Sequence, residues 1–259
     1  MKHVLVIAGS DSSGGAGLTR DVETLTHFGV GALCALTAVT AQSDAAVTAV
    51  EVIPAGVVRA QIDAALASGR VDAVKIGMLG DVRTIEAVSA SLDLLEGVPV
   101  VLDPVMVAES GAVLLDPAAV DALRRLITRA TAITPNIREA RALTGVDESV
   151  QPVELAREVY RLGASFVVVT GGHAPDGADI FCDGEREVRI VGEQHPAGAA
   201  HGSGCTHSSV LAAELARRAA PLNAARRARE LASEAVRDGL GDLGAGAGPV
   251  DVLGLSRPV

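Results

Sequence analysis

The sequence predicts an α/β protein: a mostly parallel sheet, helices on both of its faces, and an antiparallel hairpin at one sheet edge. Three observations carry that prediction. Short β-branched runs alternate with Ala-, Leu- and Arg-rich stretches of helical period, which is the order of a sheet covered on both sides. Several runs, such as Val4-Leu5-Val6-Ile7-Ala8 and Phe166-Val167-Val168-Val169, are apolar throughout, as central parallel strands buried on both faces must be. The segment 179–191 places Asp183-Gly184 between two short runs, a hairpin signal.

Strands are expected at residues 3–8, 32–39, 46–53, 71–76, 98–102, 132–134, 166–170, 180–182 and 188–191. Helices are expected at 17–28, 56–67, 82–94, 117–129, 137–143, 152–162, 205–218 and 222–239. Asp116-Pro117 is an N-cap followed by a first-turn proline, and Gly29 and Gly163 stand where C-caps belong. No repeat or linker interrupts the 259 residues, so one domain over 1–259 is expected. The Gly/Ala-rich tail 239–248, ahead of Pro249-Val250-Asp251, reads as a loosely ordered end.

Charge and composition remove whole classes of function. Lys plus Arg total 22 against 32 Asp plus Glu, a formal net charge of −10, which repels nucleic-acid backbones and anionic lipid surfaces. Aromatic residues are 2% with no Trp, so no base-stacking platform is available. A local anion site stays open, because backbone N–H groups at a helix start bind phosphate without Lys or Arg. Cys34, Cys182 and Cys205 form no CxxC pair, which fits a reducing compartment. No segment reaches the ~18 apolar residues of a membrane span. A cytoplasmic location is expected, with neither nucleic acid nor membrane as partner.

In open α/β sheets ligands sit beyond the carboxyl ends of the strands, so the residues after each run matter most. The first run is followed by Gly9-Ser10-Asp11-Ser12-Ser13-Gly14-Gly15-Ala16-Gly17. This loop lacks the P-loop Lys and the dinucleotide glycine spacing, yet it opens a helix with many N–H groups and hydroxyls, and ligand contact is favoured over a plain turn. His201-Gly202-Ser203-Gly204-Cys205-Thr206 is a second helix start, suited to the negative charge of a transferring phosphoryl group. Cys205 would sit where a helix dipole lowers a thiol pKa; the structural alternative is an N-cap with an inert Cys. In Thr134-Pro135-Asn136-Ile137-Arg138-Glu139, Asn136 and Glu139 suit a hydrated Mg²⁺ or phosphate, with a capping box as the equal alternative. Asp103 puts a carboxylate at a strand end, and Gln42 an amide able to match an aminopyrimidine edge. The six histidines show no zinc spacing.

Taken together, IAGSDSSGGAGL (7–18), TAVTAQ (37–42), VDAVKIGML (71–79), VLDPVMVAESG (101–111), ITPNIREARALTG (133–145), GGH (171–173) and HGSGCTHSS (201–209) resemble the hydroxymethylpyrimidine/phosphomethylpyrimidine kinases, within the ribokinase-like superfamily. The resemblance spans essentially the whole chain. It implies a three-layer ribokinase-like fold and an ATP- and Mg²⁺-dependent kinase of thiamine biosynthesis. Such an enzyme phosphorylates 4-amino-5-hydroxymethyl-2-methylpyrimidine and then the monophosphate, and a homodimer is expected. It further implies that Gly9, Asp11, Gly15, Gln42, Met78 and Val105 line the pyrimidine pocket. Asn136, Thr170 and Gly172 would serve ATP, and Glu139 with Asp103 the Mg²⁺, through water. Gly202, Ser203, Gly204 and Cys205 would form the catalytic anion hole, with Cys205 as base or the nest acting electrostatically.

Four sites depart from the family pattern, the mildest being Ser203 for the usual Thr. Thr170 stands where a Lys usually precedes Gly-Gly-His, Ser43-Asp44 follow Gln42 in place of Asn-Thr, and Glu109 occupies a spot commonly basic or neutral. The competing readings are a pyridoxal kinase on the same scaffold and a degenerate pyrimidine-binding regulator. A nicotinamide dehydrogenase is disfavoured because its glycine fingerprint is missing.

Overall fold

The computed structural model describes residues 1–43, 45–172, 177–196, 198–241 and 248–256. In chain order these residues form β1 (His3–Ala8), α1 (Gly17–His27), β2 (Gly31–Leu36), β3 (Ala38–Gln42), β4 (Val47–Val52), α2 (Ala55–Ser68), β5 (Ala73–Ile76), α3 (Val82–Ser91) and β6 (Val100–Leu102). There follow α4 (Val120–Ile127), β7 (Ala132–Ile133), α5 (Ile137–Thr144), α6 (Pro152–Tyr160), β8 (Phe166–Val169), β9 (Asp179–Cys182), β10 (Glu187–Ile190), α7 (Ser203–Ala216) and α8 (Pro221–Arg237).

Among the described residues one sheet has the order β10-β9-β8-β7-β6-β5-β1-β2. Its strands run parallel from β8 to β2, while β9 and β10 are antiparallel, so the predicted edge hairpin is present. The period of two along each strand divides the core. Leu5, Ile7, Val74, Ile76, Val100 and Leu102 face one layer, which holds α2 to α6. Val4, Val6, Ala8, Ala73 and Val101 face the other, with α1, α7 and α8. α7 is buried nearly all round, which is why its apolar residues show no single stripe. The buried face of α8 is largely alanine, at Ala224, Ala225, Ala228, Ala232 and Ala235, and so comes close to its neighbours.

Three expectations need correction. The run 32–39 is two strands: the Thr37 N–H donates to Ala8 O and its hydroxyl to Met78 O at 2.6 Å, and the chain leaves the main sheet there to build the separate antiparallel pair β3-β4. The helix at 117–129 opens as a 3₁₀ turn (Pro117–Ala119) capped by Asp116 before α4. The described part of the C-terminal tail is docked. His201 N–H donates to Gly248 O, Val250 N–H to His201 O and Asp251 N–H to Ala235 O; residues 242–247 lie outside the described residues.

The least expected core residue is Lys75, in the middle of β5 with no exposed surface. Its Nζ lies 2.8 Å from Asp21 Oδ2 on α1, and Ser209 Oγ on α7 donates to Asp21 Oδ1 at 2.8 Å. Removing one partner strands the other charge, so Lys75→Met should lose about 3–5 kcal/mol in denaturant unfolding. Adding Asp21→Asn to that variant should recover a large part of the loss.

Candidate active site

From β1 the chain runs out to β2 on one side and later returns to β5 on the other. Such a switch opens a crevice beyond the carboxyl ends of the two flanking strands. A cavity of about 590 Å³ occupies it. Of the residues selected from the sequence, all but Gly15 line this cavity. Gly15 lies behind the wall, where its carbonyl abuts Gly202 and accepts from Arg20 Nε at 3.2 Å.

At one end the loop after β1 meets the β3-β4 pair. Ser10 N–H donates to Ala38 O at 2.8 Å, and Ser12 Oγ donates to Gln42 O at 2.7 Å while accepting from Gln42 N at 2.8 Å. The register of β3 shifts between Ala41 and Gln42, a bulge of the kind that re-aims a side chain, and Gln42 reaches the cavity. At Gly9 the backbone comes close to the neighbouring wall, and a Cβ there would stand 2.9 Å from Met78 Sδ. Met78 and Val105 complete an apolar floor. Asp44, the departure next to Gln42, lies outside the described residues.

In the middle, α7 begins at Ser203 with Gly202 as N-cap at φ 87°. Any side chain at Gly202 is strained, and its Cβ would lie 1.9 Å from Gly15 O. Ser203 N–H donates to Ala200 O, and the first helical bond is Thr206 N–H to Gly202 O. The amides of Gly204 and Cys205 therefore have no intrahelical acceptor. The low-pKa thiolate expected of Cys205 is not supported. Burial pushes its thiol up to about 12, and although Lys75 pulls it down, Asp21 and Asp103 add to the rise.

Asp103 and Glu139 are both buried on this cavity. Asp103 Oδ2 accepts from Ser208 Oγ at 2.9 Å, and burial holds its pKa above the usual carboxylate range. Asn136 and Glu139 do form a capping box, Asn136 Oδ1 accepting from Glu139 N and Glu139 Oε2 from Asn136 N. Burial first and the Asp103 charge second push Glu139 up to about 8. Two hard oxygen donors that repel each other in a shared cavity suit a divalent cation. Among the described residues no group of three or more His, Cys, Asp or Glu could complete a metal shell, so water and phosphate oxygens would supply the rest.

At the far end Thr170 bridges to Asn136 in parallel, its N–H donating to Pro135 O at 2.9 Å, which sets Thr170 and Gly172 on the rim. His173 lies outside the described residues. Sequence reasoning missed three features of the wall. Lys75 carried a usable signal, a charge inside an apolar strand. The His201 Nε2–Asp11 Oδ2 contact of 2.7 Å and the cluster of Asp179, His207 and Arg229 carried none, because their partners are distant in sequence.

Fold and site together are those of a ribokinase-like small-molecule kinase, with a cavity at the switch point of the sheet. Comparison with known proteins narrows the class. The model of the phosphomethylpyrimidine kinase family matches residues 11–251, and the chain belongs to that family. It is 41% identical over 254 residues to the hydroxymethylpyrimidine/phosphomethylpyrimidine kinase of Rhizobium meliloti, covering 95% of each chain. It is 42% identical over 255 residues to the thiamine biosynthesis bifunctional protein ThiED of Geobacter sulfurreducens, where it spans 96% of its own length but 51% of that protein. Among solved structures, the ADP complex of Bacillus subtilis pyridoxal kinase superposes with a TM-score of 0.90 at 35% identity over 100% of both chains. Among the described residues no helix is long and apolar enough to cross a membrane.

Because the thiol holds its proton, Cys205→Ser should lower kcat by less than about tenfold, against the ~10²–10⁴-fold loss due to a general base. Gly202→Ala should abolish turnover, since it displaces the nest itself. Steady-state kinetics of the two purified variants checks both outcomes.

Proposed function

We propose that this enzyme transfers the γ-phosphoryl group of ATP to the hydroxymethyl oxygen of 4-amino-5-hydroxymethyl-2-methylpyrimidine, and in a second turnover phosphorylates the monophosphate to the diphosphate, in thiamine biosynthesis. The observation that carries this reading is the nest of residues 202–205 facing a pocket rimmed by Gln42, in a chain whose family match is essentially complete. Gln42 reads the pyrimidine edge with its amide, over Met78, Val105 and the Gly9–Asp11 side of the first loop. The Gly204 and Cys205 amides receive the charge of the transferring phosphoryl group, and positioning with charge stabilisation supplies most of the rate. Cys205 holds its proton, and the acceptor's proton leaves late in a loose transition state. Asn136, Thr170 and Gly172 hold ATP. Asp103 and Glu139 would hold Mg²⁺ through water, and the bound ion neutralises charge on the phosphates. The enzyme is a single domain, works in the cytoplasm and pairs as a homodimer. The exposed Val39 and Val50 of the β3-β4 pair are the apolar surface that a second copy covers.

A second reading, phosphorylation of pyridoxal, has one observation in its favour, the near-complete superposition on a pyridoxal kinase. A coupled ATPase assay with hydroxymethylpyrimidine, its monophosphate and pyridoxal separates the two: turnover should be greatest with the pyrimidines, and faster turnover of pyridoxal reverses the order. In the same assay Gln42→Ala should raise KM for the pyrimidine by an amount worth about 1–3 kcal/mol, with KM for ATP little changed.

The sign of the Glu139 shift gives a pH prediction. A carboxyl whose pKa is raised in the folded state keeps its proton longer than the unfolded chain does, so stability falls as pH rises from the unfolded value towards about 8. Thermal melts without Mg²⁺ should show this decline, and Glu139→Gln should flatten it. Adding Mg²⁺ should raise Tm more at pH 8 than at pH 6, because the ion needs the ionised pair.

A further inference from the structure

The cavity wall offers few cations for a polyphosphate. Among the described residues these are Lys75, Arg229 and the imidazoles of His195, His201 and His207. Lys75 is engaged by Asp21 at 2.8 Å and His201 by Asp11 at 2.7 Å. Arg229, on α8, is 9% exposed. One of its terminal nitrogens donates to Gly177 O at 2.8 Å and to Glu193 O at 3.4 Å. Its Nε has no hydrogen-bond partner among the described residues and lies 3.9 Å from Asp179 Oδ1. The same Asp179 oxygen accepts from Gly171 N at 2.9 Å, so Arg229 stands beside the turn that carries Thr170 and Gly172. Among the described residues His207 Nδ1 and Nε2 and Asp179 Oδ2 also lack hydrogen-bond partners, although Nε2 lies 3.3 Å from Oδ2. Buried polar groups in native proteins are nearly always satisfied. A cluster of groups left unsatisfied among the described residues, in side chains that line one cavity, points to a ligand there.

We propose that Arg229 is the cation that receives the nucleotide's polyphosphate, with its planar fork aimed by the Gly177 and Glu193 carbonyls and its charge shared between Asp179 and the phosphates. It fills this part because the adjacent turn presents Thr170, a neutral residue. A guanidinium suits the task because it presents several donors in one plane to phosphate oxygens. His207, on the other side of Asp179, adds a second donor. This inference rests on the reading of ATP as phosphoryl donor.

The test is a double-mutant cycle read by binding of a fluorescent ADP analogue, with hydroxymethylpyrimidine binding measured in parallel. Arg229→Gln should weaken ADP binding about 10- to 100-fold and leave pyrimidine binding within about twofold. Thr170→Lys should improve ADP binding at least about fivefold more in the Arg229→Gln background than in the wild type, because a charge nearby replaces the lost one. A merely structural Arg229 would not be rescued in this way. Equal gains in the two backgrounds, or parallel loss of ADP and pyrimidine binding in Arg229→Gln, would overturn the proposal. If Arg229→Gln does not fold, Arg229→Lys takes its place: severalfold weaker ADP binding with unchanged pyrimidine binding supports the role of the fork, and unchanged ADP binding refutes it. Wild-type enzyme that binds no ADP would bring down the ATP reading as well, whereas tight wild-type binding that Arg229→Gln leaves intact brings down this inference alone.

Discussion

The fully buried cation Lys75 organises the centre of this molecule. It sits on the strand at the switch point and points into the layer of α1 and α7, where Asp21 and Ser209 receive it. Burial works against its charge, but the attraction of Asp21, with smaller help from Cys205 and Asp103, outweighs this and holds its pKa above the usual lysine value. The pair fixes α1 and α7 against β5 at the level of the cavity floor. With Lys75 paired to Asp21, the helix start at 202–205 lines the cavity with oriented amides. The protonated Cys205 thiol follows from the same arrangement, because Asp21 and Asp103 oppose the help that Lys75 gives to a thiolate.

Around that centre the walls are held by contacts that cross the whole chain. Asp11 belongs to the first loop and His201 to the last, and their 2.7 Å contact ties the acceptor rim to the nest. Burial would raise the Asp11 pKa, yet hydrogen bonds from His201 and Ser13 outweigh it and hold the carboxyl below its usual range. The backbone of His201 is in turn bonded on both sides to residues 248 and 250. The C-terminal segment therefore braces the nest from behind, which a reading of its composition as a loose end does not convey.

The two ends of the cavity differ in how their charge is managed. Near the middle, burial and the charge of Asp103 raise the Glu139 pKa to about 8, and a divalent cation bound there would favour its ionised form. At the far end, Arg229 and His207 gather around Asp179 without completing hydrogen bonds to it.

The sequence by itself determined the architecture and most of the lining of the site. Strand runs such as 3–8 and 166–170 declare burial on both faces through their unbroken apolar character. The residues after a parallel strand must face the ligand edge, so Gly9, Asp103 and Asn136 could be placed before any coordinates. Tertiary structure alone decided the break at Thr37, the charge state of Cys205 and the retreat of Gly15 behind the wall. It alone decided the partners of Lys75, His201 and Arg229. The physical reason is common to these cases. Periodicity and turn chemistry are local and written in neighbouring residues, whereas desolvation and ion pairing depend on which distant segments close over a group, as Asp11 and His201 do across 190 positions.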